Sequence, residues 1–280
     1  MRKAVLVTTL AVVLAAVGPA VAADIDQHDL VRDGLKVTGL TQDQRLVQFR
    51  ADRPGKVSSA ASVTGLAGDT TLVGIDYRVQ NGLLYGVGDA GGVYTLDTSS
   101  AVATKVSQLS IALQGTAFGV DFNPAADRLR IISDTGQNLR HNVNVATGGT
   151  LADTPLTTPP AVTPSLGVTG AAYTNNDLDP ATATSLFDID TAGDRVVVQS
   201  PANSGTLAPT GNLGVDAGPS VGFDIYYTPK DGSNQGFAAL STGGSYSFYK
   251  INPLTGTAHN AGAFPTDCQV FDIALPLNQK

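Results

Sequence analysis

The sequence predicts an all-β fold, a five-bladed β-propeller of four-stranded antiparallel sheets, and two observations carry that prediction. The first is a strand signature that returns about every fifty residues: Leu72-Val73-Gly74-Ile75-Asp76-Tyr77, Ala117-Phe118-Gly119-Val120-Asp121-Phe122, Val168-Thr169-Gly170-Ala171-Ala172-Tyr173, Ser220-Val221-Gly222-Phe223-Asp224-Ile225 and Gln269-Val270-Phe271-Asp272-Ile273. Counted from Asp76, the intervals are 45, 51, 52 and 48 residues. A period of that size marks one supersecondary unit per repeat, each unable to bury its own apolar face alone. The second observation is compositional. All 24 acidic residues are Asp, beside 31 Gly and 15 Pro. Glu favours helices whereas Asp, Gly and Pro favour turns, so this mixture belongs to short strands and tight connections.

Each unit repeats one internal order. In the first, the signature strand is followed by Gly82-Leu83-Leu84-Tyr85-Gly86-Val87, then by the alternating Val93-Tyr94-Thr95-Leu96-Asp97, then by Thr104-Lys105-Val106. Period-two alternation bounded by Gly, Asn and Asp reads as antiparallel hairpins. The second unit runs through Gly119–Phe122, Arg128–Ser133, Asn138–Val143 and Thr150-Leu151. The third takes Gly170–Tyr173, Ser185–Ile189, Arg195–Gln199 and Thr206–Pro209, and the fourth Gly222–Tyr227, Gly236–Leu240, Ser247–Ile251 and Thr257–Asn260. Val270–Ala274 is a fifth signature strand with no partners after it, while Lys36–Leu40, Arg45–Phe49 and Lys56–Val63 are three strands with no signature strand before them. A blade shared between the two termini completes the count at five and leaves no open sheet edge. The Pro-rich segment Thr154–Pro164 reads as an excursion between blades, because proline cannot donate to a ladder.

Outside the propeller, residues 1–22 have a secretory leader's three parts: Arg2 and Lys3, an apolar run from Ala4 to Val17, and the small-residue exit Ala20-Val21-Ala22. The apolar run is shorter than the roughly 20 residues that span a bilayer. The domain reading is therefore a signal peptide at 1–22, an N-terminal segment at 23–34 and a single propeller at 35–278, exported to the periplasm or the exterior and not membrane-inserted after cleavage. Loss of Arg2 and Lys3 moves the formal charge from −7 to −9. That balance offers no footing to nucleic acid, which needs a clustered basic face. The expected partner is an extracellular ligand or protein, met by a monomer. Cys268 is the single cysteine, so no intramolecular disulfide forms, and a buried, inert thiol is expected there.

No motif with a defined chemistry occurs. His28, His141 and His259 stand singly, without metal-ligand spacing, and no nucleophile elbow or phosphate-binding loop is present. Two constellations remain. If the signature strands are innermost, Asp76, Asp121, Asp224 and Asp272 fall at one height around the axis, with Ala172 breaking the ring. Such carboxylates can accept backbone N–H groups of the neighbouring blade, hold a cation such as calcium, or act as paired acids on a glycosidic bond. The last is weakened by the lack of any Glu and of Trp. The other constellation is Asp121-Phe122-Asn123-Pro124 through Asp127-Arg128-Leu129-Arg130 to Ser133-Asp134-Thr135-Gly136-Gln137-Asn138-Leu139-Arg140. There alternation puts Arg128 and Arg130 on one face, spaced to clamp an anion or to pair with Asp127 or Asp134 across the hairpin.

That second stretch, with Leu186-Phe187-Asp188-Ile189-Asp190-Thr191 and Gln199-Ser200-Pro201, resembles the domain of unknown function family 4394, an uncharacterised group of exported bacterial proteins. The resemblance runs from about Leu46 to Leu277. It implies no catalytic residue, but directs attention to Asp121, Asn123, Arg128, Arg130, Asp134 and Asn138 as ligand-binding candidates. The function read from the sequence is a binding module without covalent chemistry, the alternative being a carbohydrate-directed hydrolase using axial Asp residues.

Overall fold

The computed structural model describes residues 34–279; the leader expected at 1–22 and the segment at 23–33 lie outside the described residues. Among the described residues, twenty strands form five four-stranded antiparallel sheets. The first blade has the order β20-β1-β2-β3, joining Val270–Ala274 to Lys36–Thr41, Arg45–Arg50 and Ser59–Ser62. The second holds β4 (Leu72–Tyr77), β5 (Leu84–Gly88), β6 (Gly92–Leu96) and β7 (Ala103–Gln108), and the third β8 (Phe118–Asn123), β9 (Arg128–Ser133), β10 (Asn138–His141) and β11 (Thr150–Ala152). In the fourth are β12 (Val168–Tyr173), β13 (Leu186–Asp190), β14 (Arg195–Gln199) and β15 (Leu207–Asn212), and in the fifth β16 (Val221–Thr228), β17 (Ser233–Thr242), β18 (Ser245–Ile251) and β19 (Ala258–Ala263). The predicted closure is present: the C-terminal strand is hydrogen-bonded into the N-terminal sheet, with Thr38 opposite Ala274 and Gly39 opposite Ile273.

Alternation along the strands puts apolar side chains on the faces between blades, and each of the five joints has its own cluster. Phe49, Phe237, Phe248 and Phe264 fill the joint between the fifth and first blades, with Phe248 stacked on Phe237 at 5.5 Å and edge-on to Phe49 at 5.2 Å. Leu40, Leu72, Ile75 and Tyr94 serve the next joint, and Val87, Phe122, Leu129 and Ile131 the one after. Ile132, Val168 and Val197 lie between the third and fourth blades; Ile189, Phe223, Ile225 and Leu240 lie between the fourth and fifth. Each large side chain fully buried in this way contributes roughly 1.5–3 kcal/mol. Cys268 sits buried in the first of these clusters, where burial pushes its thiol pKa up, as an inert cysteine requires.

The all-Asp acid set has a local use. Short carboxylates at the hairpins between second and third strands reach the connectors that lead into the inner strands. Asp89 accepts from the backbone N–H of Thr70 at 2.8 Å and from its hydroxyl, Asp134 accepts from the N–H and hydroxyl of Thr116, and Asp194 accepts from the N–H of Ala217 at 2.8 Å. The Pro-rich excursion is anchored too: Leu156 is buried in the joint between the third and fourth blades, with Leu156 N donating to Gly136 O and Thr157 N to Gly205 O.

Candidate functional site on the propeller axis

The inner strands β4, β8, β12, β16 and β20 place the signature aspartates at the centre of the ring, and each carboxylate ties its blade to the next. Phe122 N donates to Asp76 Oδ2 at 2.8 Å, Tyr173 N to Asp121 Oδ1 at 3.0 Å, Leu275 N to Asp224 Oδ2 at 2.6 Å and Ile75 N to Asp272 Oδ2 at 2.7 Å. The backbone-acceptor role foreseen for these residues is therefore real. At the joint from the fourth to the fifth blade, Ala172 supplies no such carboxylate.

These bonds also correct one expectation. Asp76 and Asp121 each bind the residue just after the signature position of the next strand, Phe122 after Asp121 and Tyr173 after Ala172. Asp224 instead binds Leu275, the residue after Ala274, and Asp272 binds Ile75, the residue before Asp76. Pairing inside the sheets agrees. The register skips Val73 before Gly74 in β4, Thr169 before Gly170 in β12 and Phe271 before Asp272 in β20. Asp272 is thus the structural counterpart of Gly74 and Gly170, and Ala274 is the counterpart of Asp76 and Ala172. The four aspartates do not share one height: one layer carries Asp76, Asp121, Ala172, Asp224 and Ala274, and the next carries Gly74, Gly119, Gly170, Gly222 and Asp272. In that second layer the strands approach closely. A Cβ on Gly119 would meet Ala171 N at 2.7 Å, and one on Gly222 would meet Asp272 Oδ1 at 2.6 Å.

In the upper layer Asp76, Asp121 and Asp224 each present a carboxylate oxygen within 4.8 Å of the others. Asp121 is 1% exposed and Asp224 2%. One oxygen of each, Asp121 Oδ2 and Asp224 Oδ1, is buried without a hydrogen-bond partner. Burial, reinforced by the charge of Asp224, holds the Asp76 carboxyl well above the usual carboxylate range; burial and Asp76 do the same to Asp121. Burial raises Asp224 to about 6, against the opposing pull of the Leu275 and Ile225 N–H groups. Asp272 is pushed well up by burial, and Asp224 adds to it. Ionised carboxylates crowded away from water repel one another, and a proton or a cation must offset that repulsion. Oxygen-only donors at this spacing suit a hard cation: a calcium ion takes oxygens at 2.3–2.6 Å, a sphere about 5 Å across.

The arginine-bearing hairpin does not assemble as one site. Arg128 Nη1 donates to the carbonyls of Ala126 and Asp127, and Asn123 Oδ1 accepts from Ala126 N, at one end of β8 and β9. Asp134, at the other end, anchors Thr116. Arg130 and Asn138 are buried between the third and fourth blades. There Arg130 donates to Asp153 Oδ2 and Asn138 Oδ1, both at 2.7 Å, to Asn203 Oδ1 at 2.8 Å and to Tyr173 Oη at 3.2 Å. The arginines therefore do not pair with Asp127 or Asp134 side chains. Asp127 instead takes the Arg78 guanidinium of the preceding blade.

Two buried groups, Asp188 and the singly standing His141, have surroundings that the sequence did not show. Asp188, on β13 with 0% exposure, has both carboxylate oxygens unpartnered and is raised well above its ordinary pKa by burial, partly relieved by the charge of Arg130. Its signal was present as a charged residue among the apolar positions of Leu186-Phe187-Asp188-Ile189. His141 is buried with Nε2 at 2.8 Å from Ser107 Oγ and Nδ1 at 3.0 Å from Thr150 Oγ1, and burial, with a smaller push from Arg128, lowers its pKa to about 4. Ser107 Oγ donates to Val145 O, so it faces the imidazole as an acceptor, the reverse of an activated nucleophile. His259 is exposed and His28 lies outside the described residues.

No helix among the described residues is long and apolar enough to cross a membrane. No curated protein matches the chain. Among solved structures it is similar to a protein of unknown function from Bacteroides thetaiotaomicron, at 13% identity and TM-score 0.48, covering 89% of this chain and 66% of that one. It is also similar to an auxiliary nutrient binding protein from Bacteroides ovatus, at 14% identity and TM-score 0.40, covering 82% and 50%. A third is the Dos1 propeller, at 9% identity and TM-score 0.40, covering 81% and 60%. The chain thus spans about two thirds of the first and half of the second. One family model runs from Arg45, the first residue of β2, to Ala274, the last of β20, and so takes in the axial layers and every described strand but β1. The chain belongs to the exported family that this model defines, the Domain of unknown function (DUF4394).

Proposed function

We propose that the protein is an exported binding module, without covalent chemistry of its own, built around a divalent cation held on the axis by Asp76, Asp121 and Asp224. One observation carries this: three buried carboxylates within 4.8 Å, two of them with an oxygen that no protein donor reaches. Ligand contact is assigned to the end of the ring where β8 and β9 present Asn123 and Arg128, both partly exposed. The hydrolytic alternative fits the geometry less well. A glycosidic bond must lie between its two carboxyl groups, roughly 5–9.5 Å apart. Here one oxygen from each of the three lies within 4.8 Å of the others, and Asp76, the most exposed of the three residues, shows only 5% of its surface, which leaves no open cleft for a sugar between them.

The test is calcium titration of protein first stripped with chelator at pH 7.5, followed by calorimetry and by melting temperature. Saturable binding at one site, with a melting point that rises with free calcium, is expected, since a ligand bound only by the folded state adds RT ln(1 + [L]/Kd) to stability. Asp121→Asn and Asp224→Asn should lose the calcium response and, in chelator, melt above the parent protein because a repelling charge has gone. A melting curve indifferent to calcium and chelator would remove the cation from the reading.

A further inference from the structure

The two-residue slip of β20 has a chemical product. In the layer beneath the three axial carboxylates, four of five positions are glycine and the fifth is Asp272, so the only side chain that layer presents is an acid. Its carboxylate lies between the backbones of both neighbouring inner strands. Oδ2 takes Ile75 N–H of β4 at 2.7 Å, and Oδ1 lies 2.6 Å from where a Cβ on Gly222 of β16 would stand. Asp272 adds to the electrostatic load on Asp76 and Asp121, and Asp224 adds to the load on Asp272. The principal influences on all four are burial, backbone N–H groups and the other carboxylates, with no lysine or arginine among them. Among the described residues, no cationic side chain stands among the main influences on these four acids.

We propose that Asp272 is the fourth carboxylate of the axial site, supplying negative charge from the layer below and making the site selective for a divalent, calcium-sized cation over a monovalent one. This rests on the axial-cation reading and adds to it a residue and the source of the site's selectivity between divalent and monovalent ions. Three carboxylates in one layer are met by a divalent ion with a residual negative charge of one; the field of a fourth beneath them acts on each positive charge alike, so a divalent ion gains about twice what a monovalent ion gains. The glycine layer is what admits it. A side chain at Gly222 or Gly74 would occupy the space that the Asp272 carboxylate fills, since a Cβ on Gly74 would already stand 3.2 Å from Asp272 Oδ2.

The experiment compares the full-length mature protein with Asp272→Asn, which keeps the Oδ acceptor for Ile75 N–H and removes only the charge. Calcium affinity is measured by calorimetry in 20 mM and 200 mM NaCl, with terbium luminescence excited through the tyrosines as an independent readout. Expected is a loss of about 10–100-fold in calcium affinity for Asp272→Asn, the range seen when a supporting group around a metal is altered. A steeper competition by sodium and an unchanged or higher melting temperature in chelator should accompany it. If the parent protein binds calcium and Asp272→Asn binds it equally well, with the same sodium competition, Asp272 has no part in the site and this proposal falls while the three-carboxylate reading stands. If the parent protein binds neither calcium nor terbium, both fall. Should Asp272→Asn fold poorly, Ala274→Asp in the parent background decides: an added acid in the upper layer should tighten calcium binding if charge sets selectivity, and unaltered affinity would overturn the proposal.

Discussion

Asp121 and Asp224 each divide their two oxygens between two tasks. One oxygen accepts a backbone N–H of the next blade and the other points to no donor at all. A charge-assisted bond of the first kind contributes roughly 1.5–3 kcal/mol, and an unsatisfied buried oxygen of the second kind costs a similar amount. A structural role alone would be served better by asparagine, which keeps the acceptor and sheds the charge. Aspartate at these positions is what a cation needs. His141 poses the opposite case, a group that folding keeps neutral. Its folded pKa of about 4 lies below the ordinary 6.5, so between those values the unfolded chain takes up a proton that the folded protein refuses. Its contribution is complete above pH 6.5 and disappears as the pH falls towards 4. At 1.36 kcal/mol per unit this amounts to roughly 3 kcal/mol. Urea unfolding at pH 7 and pH 4.5 should show a smaller drop in His141→Asn than in the parent; equal drops would detach His141 from the acid response. Of these residues, sequence made the axial aspartates visible through their repetition. His141 and Asp188 were opaque, because a single polar residue declares its surroundings only once the facing blade is in place.

At the scale of the strand, the slip of β20 decides what the axis contains. The signature motif is a pattern of residue types, and Val270-Phe271-Asp272-Ile273 satisfies it, so alignment by eye sets Asp272 beside Asp76. Register is set by backbone hydrogen bonds and by the bulge, which in β20 falls at Phe271, one residue before the aspartate, whereas in β4 it falls at Val73, three residues before Asp76. Nothing in the five-residue motif encodes where the bulge lies, and this is why strands and blade count were legible while the layer of one acid was not. The glycine layer yields a prediction of its own. Gly222→Ala places a methyl group against Asp272 and Ile273, on backbone that cannot retreat. Overpacking of this kind costs typically 1–3 kcal/mol. The variant should melt several degrees lower, and its calcium affinity should fall with it, because the Asp272 carboxylate is displaced. A control, Gly232→Ala, whose added methyl meets nothing within 4 Å, adopts a left-handed φ of +67° and should lose stability without any effect on calcium.

For the whole molecule the decisive feature is the mixed first blade. It closes a chain with 45- to 52-residue repeats into a ring by giving β1 the ladder partner it would otherwise lack, and Lys36 and Gln279 at either end of the described ring reinforce it. Lys36 N donates to Gln279 Oε1 at 2.7 Å, Gln279 Nε2 donates to Lys36 O at 2.9 Å, and Gln279 N donates to Tyr226 Oη at 2.9 Å. Gln279→Ala should cost about 1–2 kcal/mol, since these bonds are largely exposed. Removal of residues 270–280 should instead abolish cooperative unfolding. It takes away Asp272, the ladder partner of β1 and a wall of two apolar clusters together, and leaves β1 as an unpaired inner edge. Circular dichroism melting and gel filtration distinguish the two, with a broad transition and aggregation expected for the truncation alone. A truncated chain that melts as sharply as the parent would show that the four remaining blades are a stable unit.

The same shared blade fixes an order of events. Synthesis and translocation proceed from the N-terminus, so β1, β2 and β3 exist for the time needed to make more than 200 further residues before the strand that completes their sheet arrives. During that interval the inner edge of β1 is an unpaired template and Phe49 lacks the β18 and β20 faces that cover it, a state open to mispairing with other chains. The blades in between are each built from contiguous sequence, whereas the first blade lacks its inner strand until β20 pairs with β1. Closing that long-range pairing is the step whose loop-closure entropy is largest, so a slow folding phase is expected to report it, and stopped-flow refolding that completes in milliseconds would argue against this.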